Sequence, residues 1–220
     1  YFQRMVPTLN SAYDILGDTA LLEVFRTTFQ LPAEMSSMDI DKQKALVDKA
    51  TAYVQGLSSA KGRFVQTDAR GTRTQGTFYL QRPGKARFAY DAPAGLLVVS
   101  NGNNVNIWDS RLKTYESYPL SKTPLNLLLA REVRLDRGVV ITDVRRLADG
   151  FTIVAQDAKR QALGKIALDF SDGPLALMGW TVTDIKGGQI RVRLTDFGPA
   201  SGLDPKLFVL TDPRPKVGRP

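Results

Sequence analysis

Carboxylates are the side chains of this 220-residue sequence that could carry the widest range of chemistry, because it contains neither His nor Cys. Without His, the sequence excludes Ser-His-Asp hydrolysis, His-ligated zinc and phosphohistidine transfer. Without Cys, it excludes thiolate catalysis and disulfides and leaves the cytosol and the periplasm equally open. Asp143, Asp169, Asp172 and Asp184 are scattered without the spacing that a general acid and base require. An enzyme would have to rely on carboxylates, Lys or Ser alone, and we expect no catalytic residue, cofactor or metal.

The charge of the chain indicates an anionic partner without identifying it. Thirty Lys and Arg residues against 22 Asp and Glu residues give a net charge of +8, which attracts nucleic acid, phospholipid headgroups or an acidic protein. Neither a helix-turn-helix nor a ribonucleoprotein motif accompanies this charge, so we expect no nucleic-acid partner. Hydrophobic residues make up 43% of the chain, enough for one large domain, and a second full domain is not expected.

The first 38 residues form a separate piece of the sequence. Tyr1-Phe2-Gln3 matches the end of a tag-protease recognition site, so residues 1–3 are interpreted as a tag remnant. Residues 4–38 are interpreted as a helical extension, whose helix is expected to end at Leu31-Pro32. The extension is either vector-derived or natural, and a natural extension would dock on the domain or enter its cavity in place of a ligand. The start lacks the order of a signal peptide, so any export signal is expected to have been removed.

From residue 39 onward, hydrophobic periodicity defines the main domain. Residues 39–57 are predicted to form a helix because Ile40, Val47, Ala50 and Val54 recur at helical spacing. From residue 60 the period changes to two, which predicts successive antiparallel strands. The predicted strands cover residues 62–68, 75–82, 86–92, 96–100, 104–109, 112–118, 139–147, 151–156, 163–170, 176–184, 189–197 and 206–211.

One apolar helix interrupts the strands. Thr123 is predicted to cap it and Pro124 to occupy its first position, ahead of a Leu-rich turn and a half. Such a helix must be covered, and a sheet of about ten strands curls rather than staying flat. The sequence therefore predicts a mainly β (α+β) protein, an open antiparallel half-barrel of about 10–12 strands with a helical lid. This domain is expected over residues 39–213, with a tail over 214–220.

A series of short motifs resembles one protein family. The longest motif is GTFYLQRPGKARFAY, which covers residues 76–90. The others are, in order, Phe64-Val65-Gln66, Asn101-Gly102-Asn103, Trp108, Thr123-Pro124, Asp184 with its Gly-containing turn, Leu207-Phe208 and Asp212-Pro213. Their order and spacing over about residues 40–213 resemble the LolA family of periplasmic outer-membrane lipoprotein carriers.

The resemblance implies a fold, a ligand and partners. Members of the family are unclosed antiparallel barrels with a helical lid, and they hold the acyl chains of a lipoprotein in an apolar cavity. By this resemblance the chain is expected in the periplasm. It would receive lipid-modified outer-membrane lipoproteins from an inner-membrane ABC transporter and deliver them to an outer-membrane receptor or to the outer membrane itself.

Arg82 matches the Arg-Pro motif of the family, in which the Arg hydrogen-bonds backbone groups of the lid helices and keeps the empty cavity closed. By the same resemblance, its acceptors are expected to be carbonyls near Leu127–Ala130 and near the first helix. Charge-assisted bonds of this kind contribute about 1.5–3 kcal/mol, which biases a lid without locking it. Without the resemblance, Arg82 is more simply a solvated strand residue before a proline.

Ten apolar residues are candidates to line the acyl cavity, and each could equally belong to an ordinary core. They are Phe64, Phe78, Leu80, Phe88, Tyr90, Leu97, Trp108, Leu125, Leu128 and Leu129. Alternation places Phe78 with Leu80, and Phe88 with Tyr90, without indicating which face of the sheet is concave.

Two other classes of function stay open. A stress-signalling regulator of the same fold binds an anti-sigma factor, so the chain could be a regulatory module that binds a lipid or a peptide. The architecture of that regulator includes a second domain, for which 220 residues leave little room. An enzyme acting through carboxylates is the third alternative. The outer-membrane receptor of the same fold is anchored through a lipidated Cys, and the absence of Cys favours the carrier.

Overall fold

The computed structural model describes residues 40–132, 139–158 and 164–215. The extension predicted over residues 4–38 and most of the 214–220 tail lie outside the described residues. The strands are β1 Ser59–Thr67, β2 Arg73–Gln81, β3 Lys85–Tyr90, β4 Leu96–Asn101, β5 Asn104–Asp109, β6 Thr114–Pro119, β7 Val139–Leu147, β8 Gly150–Asp157, β9 Lys165–Asp172, β10 Leu175–Thr183 and β11 Gln189–Pro199. The helices are α1 Ile40–Gly56 and α2 Asn126–Leu129, with short 3-10 turns at Leu120–Lys122 and Pro205–Phe208.

All eleven strands form one antiparallel sheet in the order β6-β5-β4-β3-β2-β1-β11-β10-β9-β8-β7. The two ends of the chain's strand series meet in the middle, where β1 pairs with β11. β6 and β7 lie at opposite edges, and no ladder joins them among the described residues. The barrel is therefore unclosed, as the sequence predicted.

The concave face of the sheet is covered by α1. The apolar stripe of this helix buries Leu46, Val47, Ala50 and Val54 against the sheet. Burying one such aliphatic side chain contributes about 1.5–3 kcal/mol, so this stripe is the main force that docks α1. In the described ranges, none of the helices is both long enough and apolar enough to cross a bilayer.

The predicted cap of the second helix is wrong. The residue before α2 is Leu125, and no side chain caps the helix. The Thr123 hydroxyl instead donates to the carbonyl of Leu120, at 2.8 Å. The chain forms the 3-10 turn Leu120–Lys122 before α2, and this turn uses the hydroxyl that the sequence pattern assigned to the helix.

The twelfth predicted strand, over residues 206–211, is also wrong. Pro205–Phe208 is a 3-10 turn because the side chain of Asp204 accepts from the Lys206 N–H at 2.9 Å, with Pro205 at the first position. Phe208 is only 2% exposed and lies outside the core beneath α1. The turn packs against β3 and β4, so this apolar run is buried without joining the sheet.

Candidate functional site

Arg82 joins the two helices that cover the concave face. It follows β2 directly, and Pro83 after it directs the chain into the turn toward β3. The Arg82 guanidinium donates from Nη1 to the carbonyl of Val54 and from Nη2 to the carbonyl of Ala130, the latter at 2.6 Å. Val54 lies in the last turn of α1, and Ala130 immediately follows α2. We call Arg82 with these two carbonyls the latch.

The latch places a cation where α1 requires one. Carbonyl groups at a helix C-terminus lack intrahelical donors and carry partial negative charge, and the last turn of α1 contains no basic residue. The Val54 carbonyl accepts from the Leu57 N–H at 3.2 Å, and Arg82 supplies a second, charged donor from the sheet. Burial lowers the pKa of the Arg82 guanidinium, but arginine titrates so far above neutrality that the group stays charged. Its Nε is buried without a hydrogen-bond partner among the described residues, so the carbonyls alone hold it.

Two further hydrogen bonds hold the C-terminal end of α2 beside the latch. The N–H of Gly84 donates to the carbonyl of Leu129 at 2.8 Å. The Gln55 side chain at the end of α1 donates to the carbonyl of Arg131 at 3.3 Å. Gly84 has a φ of +78°, and a Cβ there would lie 2.7 Å from the Cα of Gly102, so this turn needs glycine. These polar bonds act together with the burial of Leu128 and Leu129 to hold the α2 segment.

Eight of the ten candidate lining residues lie on the concave side. Phe64, Phe78, Leu80, Leu128 and Leu129 are fully buried, and Phe88 is nearly so. Tyr90 and Leu125 are partly buried and pack against the same cluster. The rings of Phe78 and Phe88 stack with centroids 4.6 Å apart. The structure therefore brings these residues into one apolar surface between the sheet and the helices.

Leu97 and Trp108 lie on the other face and are removed from the candidate lining. In the ladder, Leu97 is directly opposite both Ala89 and Trp108, while Phe88 is opposite Val98. Paired residues point to the same face and neighbours along a strand point to opposite faces. Because Phe88 and Val98 belong to the concave cluster, Leu97 and Trp108 lie on the convex face.

Tyr90 is a titratable group that packs against the concave cluster. Its ring lies 4.9 Å from that of Phe64, and its hydroxyl donates to the Gln66 side-chain oxygen at 2.7 Å. Burial raises the pKa of Tyr90 to about 12, and the Gln66 hydrogen bond opposes part of that rise. The phenol therefore stays neutral throughout the physiological range.

The concave face is occupied by the protein's own side chains in this arrangement. Leu128 and Leu129 of α2 and the stripe of α1 are buried directly against the sheet. A ligand can therefore lie between the sheet and the helices only if a helix moves away. The surface that would be uncovered is apolar, so the arrangement suits a long hydrocarbon ligand.

The carboxylates singled out in the sequence are dispersed. Asp143 forms an ion pair with Arg145, and Asp172 forms ion pairs with Lys49 and Arg146. Asp169 accepts a hydrogen bond from the Thr152 hydroxyl. Asp184 accepts hydrogen bonds from backbone N–H groups of its own turn. The hydrogen bond from Lys49, followed by that from Arg146, lowers the pKa of Asp172. The described residues contain no cluster of three side chains that could ligate a metal. Each of these carboxylates therefore has a structural role.

Three polar groups of the site were missed from the sequence. Gln55 was not singled out, Val54 was assigned only to the apolar stripe of α1, and Gly84 was named only within the motif over residues 76–90. The signal for Gly84 was the Pro83-Gly84 pair between two strands, which requires a positive φ. A backbone acceptor such as the Val54 carbonyl cannot be recognised from a sequence, because every residue has a backbone carbonyl.

The open sheet with its apolar concave face and helical cover defines a lidded half-barrel. Residues 55–211 match the family described as outer membrane lipoprotein carrier protein LolA, and the chain belongs to this family. Residues 1–61 also match a family described only as a protein of unknown function, DUF1217. The second match includes α1 and the segment that the lipoprotein-carrier resemblance left unassigned.

Two curated relatives are both named outer-membrane lipoprotein carrier protein. The protein from Pseudomonas syringae pv. syringae is 29% identical over 145 residues, which cover 63% of this chain and 62% of the relative. The protein from Methylococcus capsulatus is 30% identical over 156 residues, which cover 68% of this chain and 74% of the relative. The chain thus spans less than two thirds of the length of the Pseudomonas protein.

A solved structure supports the fold. The crystal structure of a DUF1329 family protein from Desulfovibrio piger aligns with a TM-score of 0.50 and 10% sequence identity. The alignment covers 77% of this chain and 96% of that chain. At this identity the likeness concerns the fold alone.

Proposed function

We propose that this chain is a periplasmic carrier that binds lipid-modified outer-membrane lipoproteins by their acyl chains, between the sheet and the helices α1 and α2. The observation that carries the proposal is the latch, in which one sheet residue holds both covering helices through two backbone carbonyls. Two such bonds are strong enough to favour a closed cover and weak enough to be broken when a ligand binds.

The energies of the exchange favour opening in the presence of ligand. Each methylene moved from water into an apolar site contributes about 0.8 kcal/mol, so a long acyl chain gains on the order of 10 kcal/mol. Opening breaks two charge-assisted bonds worth about 1.5–3 kcal/mol each, and Arg82 then regains water. The acyl chain also replaces the contacts that Leu128 and Leu129 lose. Without ligand the balance reverses and the helices close.

A carrier of this kind needs one partner at the inner membrane and one at the outer membrane. An inner-membrane ABC transporter would supply the lipoprotein, and an outer-membrane receptor or the outer membrane itself would accept it. Support comes from the family and from relatives named outer-membrane lipoprotein carrier protein. The closing tendency of the latch would drive release toward the acceptor.

Native mass spectrometry of the protein purified from a periplasmic extract tests this proposal. We expect complexes whose added mass corresponds to an acylated lipoprotein, and treatment with a detergent should dissociate them. Arg82→Leu should retain more of the bound lipoprotein than the parent. A complex with an unmodified protein, formed equally well in detergent, would instead identify a regulatory peptide-binding module and contradict the carrier.

A further inference from the structure

A basic trough lies on the convex face of the sheet, opposite the side covered by α1. It has a volume of about 810 Å³ and spans β7 to β11. Its floor consists of short side chains on the three middle strands, including Val154 of β8, Ala167 of β9 and Thr181 of β10, which are directly opposite one another in the ladders. Long side chains on β11 and β7 form its walls. We call this feature the outer trough.

The walls of the outer trough carry cations that the protein does not neutralise. Arg191 and Arg193 on the β11 wall are exposed, and so is Lys165, which lies on β9 in the same row as Gln189. Among the described residues, none of these three has a carboxylate partner. Arg145 on the β7 wall is paired with Asp143 at 2.5 Å, and Asp169 on the floor accepts from the Thr152 hydroxyl at 2.6 Å. Asp149 also lines the trough, which therefore has four cations against two carboxylates on its lining.

The spacing of two arginines on β11 suits an extended polypeptide. Arg191 and Arg193 are two residues apart on one strand, so their Cα atoms are separated by about 7 Å, the same spacing as alternate side chains of an extended ligand. From the Arg193 row to the Gln189 row the trough extends about 13 Å along the strands. Across the five strands from β7 to β11 the trough measures about 19 Å, so an extended segment would lie along β11 beside the two arginines rather than fill it.

We propose that the outer trough binds an extended acidic segment of a partner protein, with carboxylates at alternate positions facing Arg191 and Arg193. The proposal deepens the proposed function, because such a segment would belong to the protein that supplies or accepts the lipoprotein. The convex face stays free when the concave face holds an acyl chain, so both can be bound together. Complementary charge would accelerate their encounter and make it sensitive to salt.

The chain contains one competing occupant of its own. Residues 1–39 carry five Asp or Glu residues and only two Arg residues, a net charge of −3. If this segment occupied the outer trough, it would exclude an external acidic peptide. A comparison of the full chain with a variant lacking residues 1–38 therefore separates a partner site from an intramolecular one.

Fluorescence anisotropy with a labelled peptide of alternating Glu and Val, about eight residues long, measures binding directly. We expect saturable binding to the full chain that weakens with salt, and weaker binding of the matching Gln–Val peptide.

Arg191→Glu with Arg193→Glu should reduce affinity for the Glu–Val peptide at least about tenfold. Arg191→Gln with Arg193→Gln should give a smaller loss and guards against misfolding of the reversed variant. The matched control, Arg111→Glu with Lys122→Glu, changes the net charge equally on exposed residues outside the trough.

Several outcomes overturn the trough proposal. One is the absence of binding to the Glu–Val peptide at low salt, and another is an equal loss in the matched control, which would show a response to net charge only. A third is binding that appears only after residues 1–38 are removed. Binding of a fluorescent fatty acid by the same variants is the separate measurement for the carrier. The trough substitutions should leave fatty-acid binding unchanged. If the parent protein bound no fatty acid, the carrier proposal would be contradicted while the result for the trough would stand.

Discussion

Arg82 Nη2 lies 2.6 Å from the carbonyl oxygen of Ala130, 48 residues further along the chain. This hydrogen bond connects the end of β2 to the end of α2, and the same guanidinium also binds the last turn of α1. The latch thus couples the positions of the two covering helices. Loss of one side chain should therefore affect both.

Replacement of the latch tests whether it drives release. We expect Arg82→Leu to take up lipoprotein as the parent does but to transfer it at least about tenfold more slowly, because the closing bonds are lost. The measurement is the rate at which a labelled lipoprotein passes from the variant to acceptor membranes carrying the receptor. Arg87→Leu is the matched control, since Arg87 also donates to a backbone carbonyl, that of Leu207, but on the convex face. Equal transfer rates for parent and Arg82→Leu would contradict the latch.

A reversible cross-link tests whether the α2 segment must move. The chain contains no Cys, so Gln55→Cys with Arg131→Cys introduces one pair of thiols at the ends of α1 and the α2 segment, where the Gln55 side chain contacts the Arg131 carbonyl. A Gln side chain spans more than a disulfide does, so the two thiols are joined by a short bifunctional reagent that a reductant cleaves. The cross-linked protein should bind a fluorescent fatty acid at least about tenfold more weakly than the cleaved protein. Each single-Cys variant should respond to neither the reagent nor its cleavage. Unchanged binding in a fully cross-linked sample would show that ligand enters without this movement.

Tyr90 should make stability depend on alkaline pH. The pKa of its phenol is about 12 in the folded protein, against about 10 in an unfolded chain, so folding favours the neutral form. Its contribution is complete below pH 10 and is lost as the pH rises toward 12, by about 2–3 kcal/mol. The stability of Tyr90→Phe should not fall in this way at alkaline pH. Near neutrality, Tyr90→Phe should be less stable than the parent by about 0.5–1.5 kcal/mol, because the hydrogen bond to Gln66 is lost.

Urea unfolding of both proteins across this pH range checks the prediction for Tyr90. The free-energy difference between parent and Tyr90→Phe should shrink or reverse above pH 10. A constant difference from neutrality to pH 12 would mean that Tyr90 ionises as freely in the folded protein as in the unfolded chain.

Phe208 should contribute to stability but not to ligand binding. It is 2% exposed and packs on the convex face, away from the cluster under α1. Phe208→Ala should cost about 3–5 kcal/mol of unfolding free energy and leave fatty-acid affinity unchanged. Val209 is 61% exposed, so Val209→Ala should change stability by less than about 0.5 kcal/mol. If both substitutions had the same effect, the C-terminal turn would not be packed as described.

The fold was predictable where the hydrophobic period is regular. α1 and eleven strands follow directly from helical spacing and alternation, and the open antiparallel sheet follows from the absence of intervening helices. The failure at Leu207 and Phe208 had a physical cause. Their apolar run resembles a strand, but the preceding Asp204-Pro205 pair starts a capped turn, and the local signal was the stronger one.

The site was less predictable because its formation depends on tertiary contacts. Alternation alone gave no reason to separate Phe88 from Leu97, since only the assembled ladder shows which face α1 covers. The role of Arg82 came from a family resemblance rather than from its own neighbours, and it stays a prediction. Arg191 and Arg193 were not singled out, because two alternating arginines become the wall of a trough only beside the small residues of β8, β9 and β10.

Photo-cross-linking with a triacylated lipopeptide that carries a diazirine in one acyl chain tests the carrier most directly. Mass spectrometry of the digested complex identifies the labelled side chains. We predict label on Phe78, Leu80, Leu128 or Leu129, which line the space between sheet and helices, and competition by unlabelled lipopeptide. Label confined to Leu97, Trp108 or the outer trough, or no saturable labelling, would show that the concave side is a permanent core.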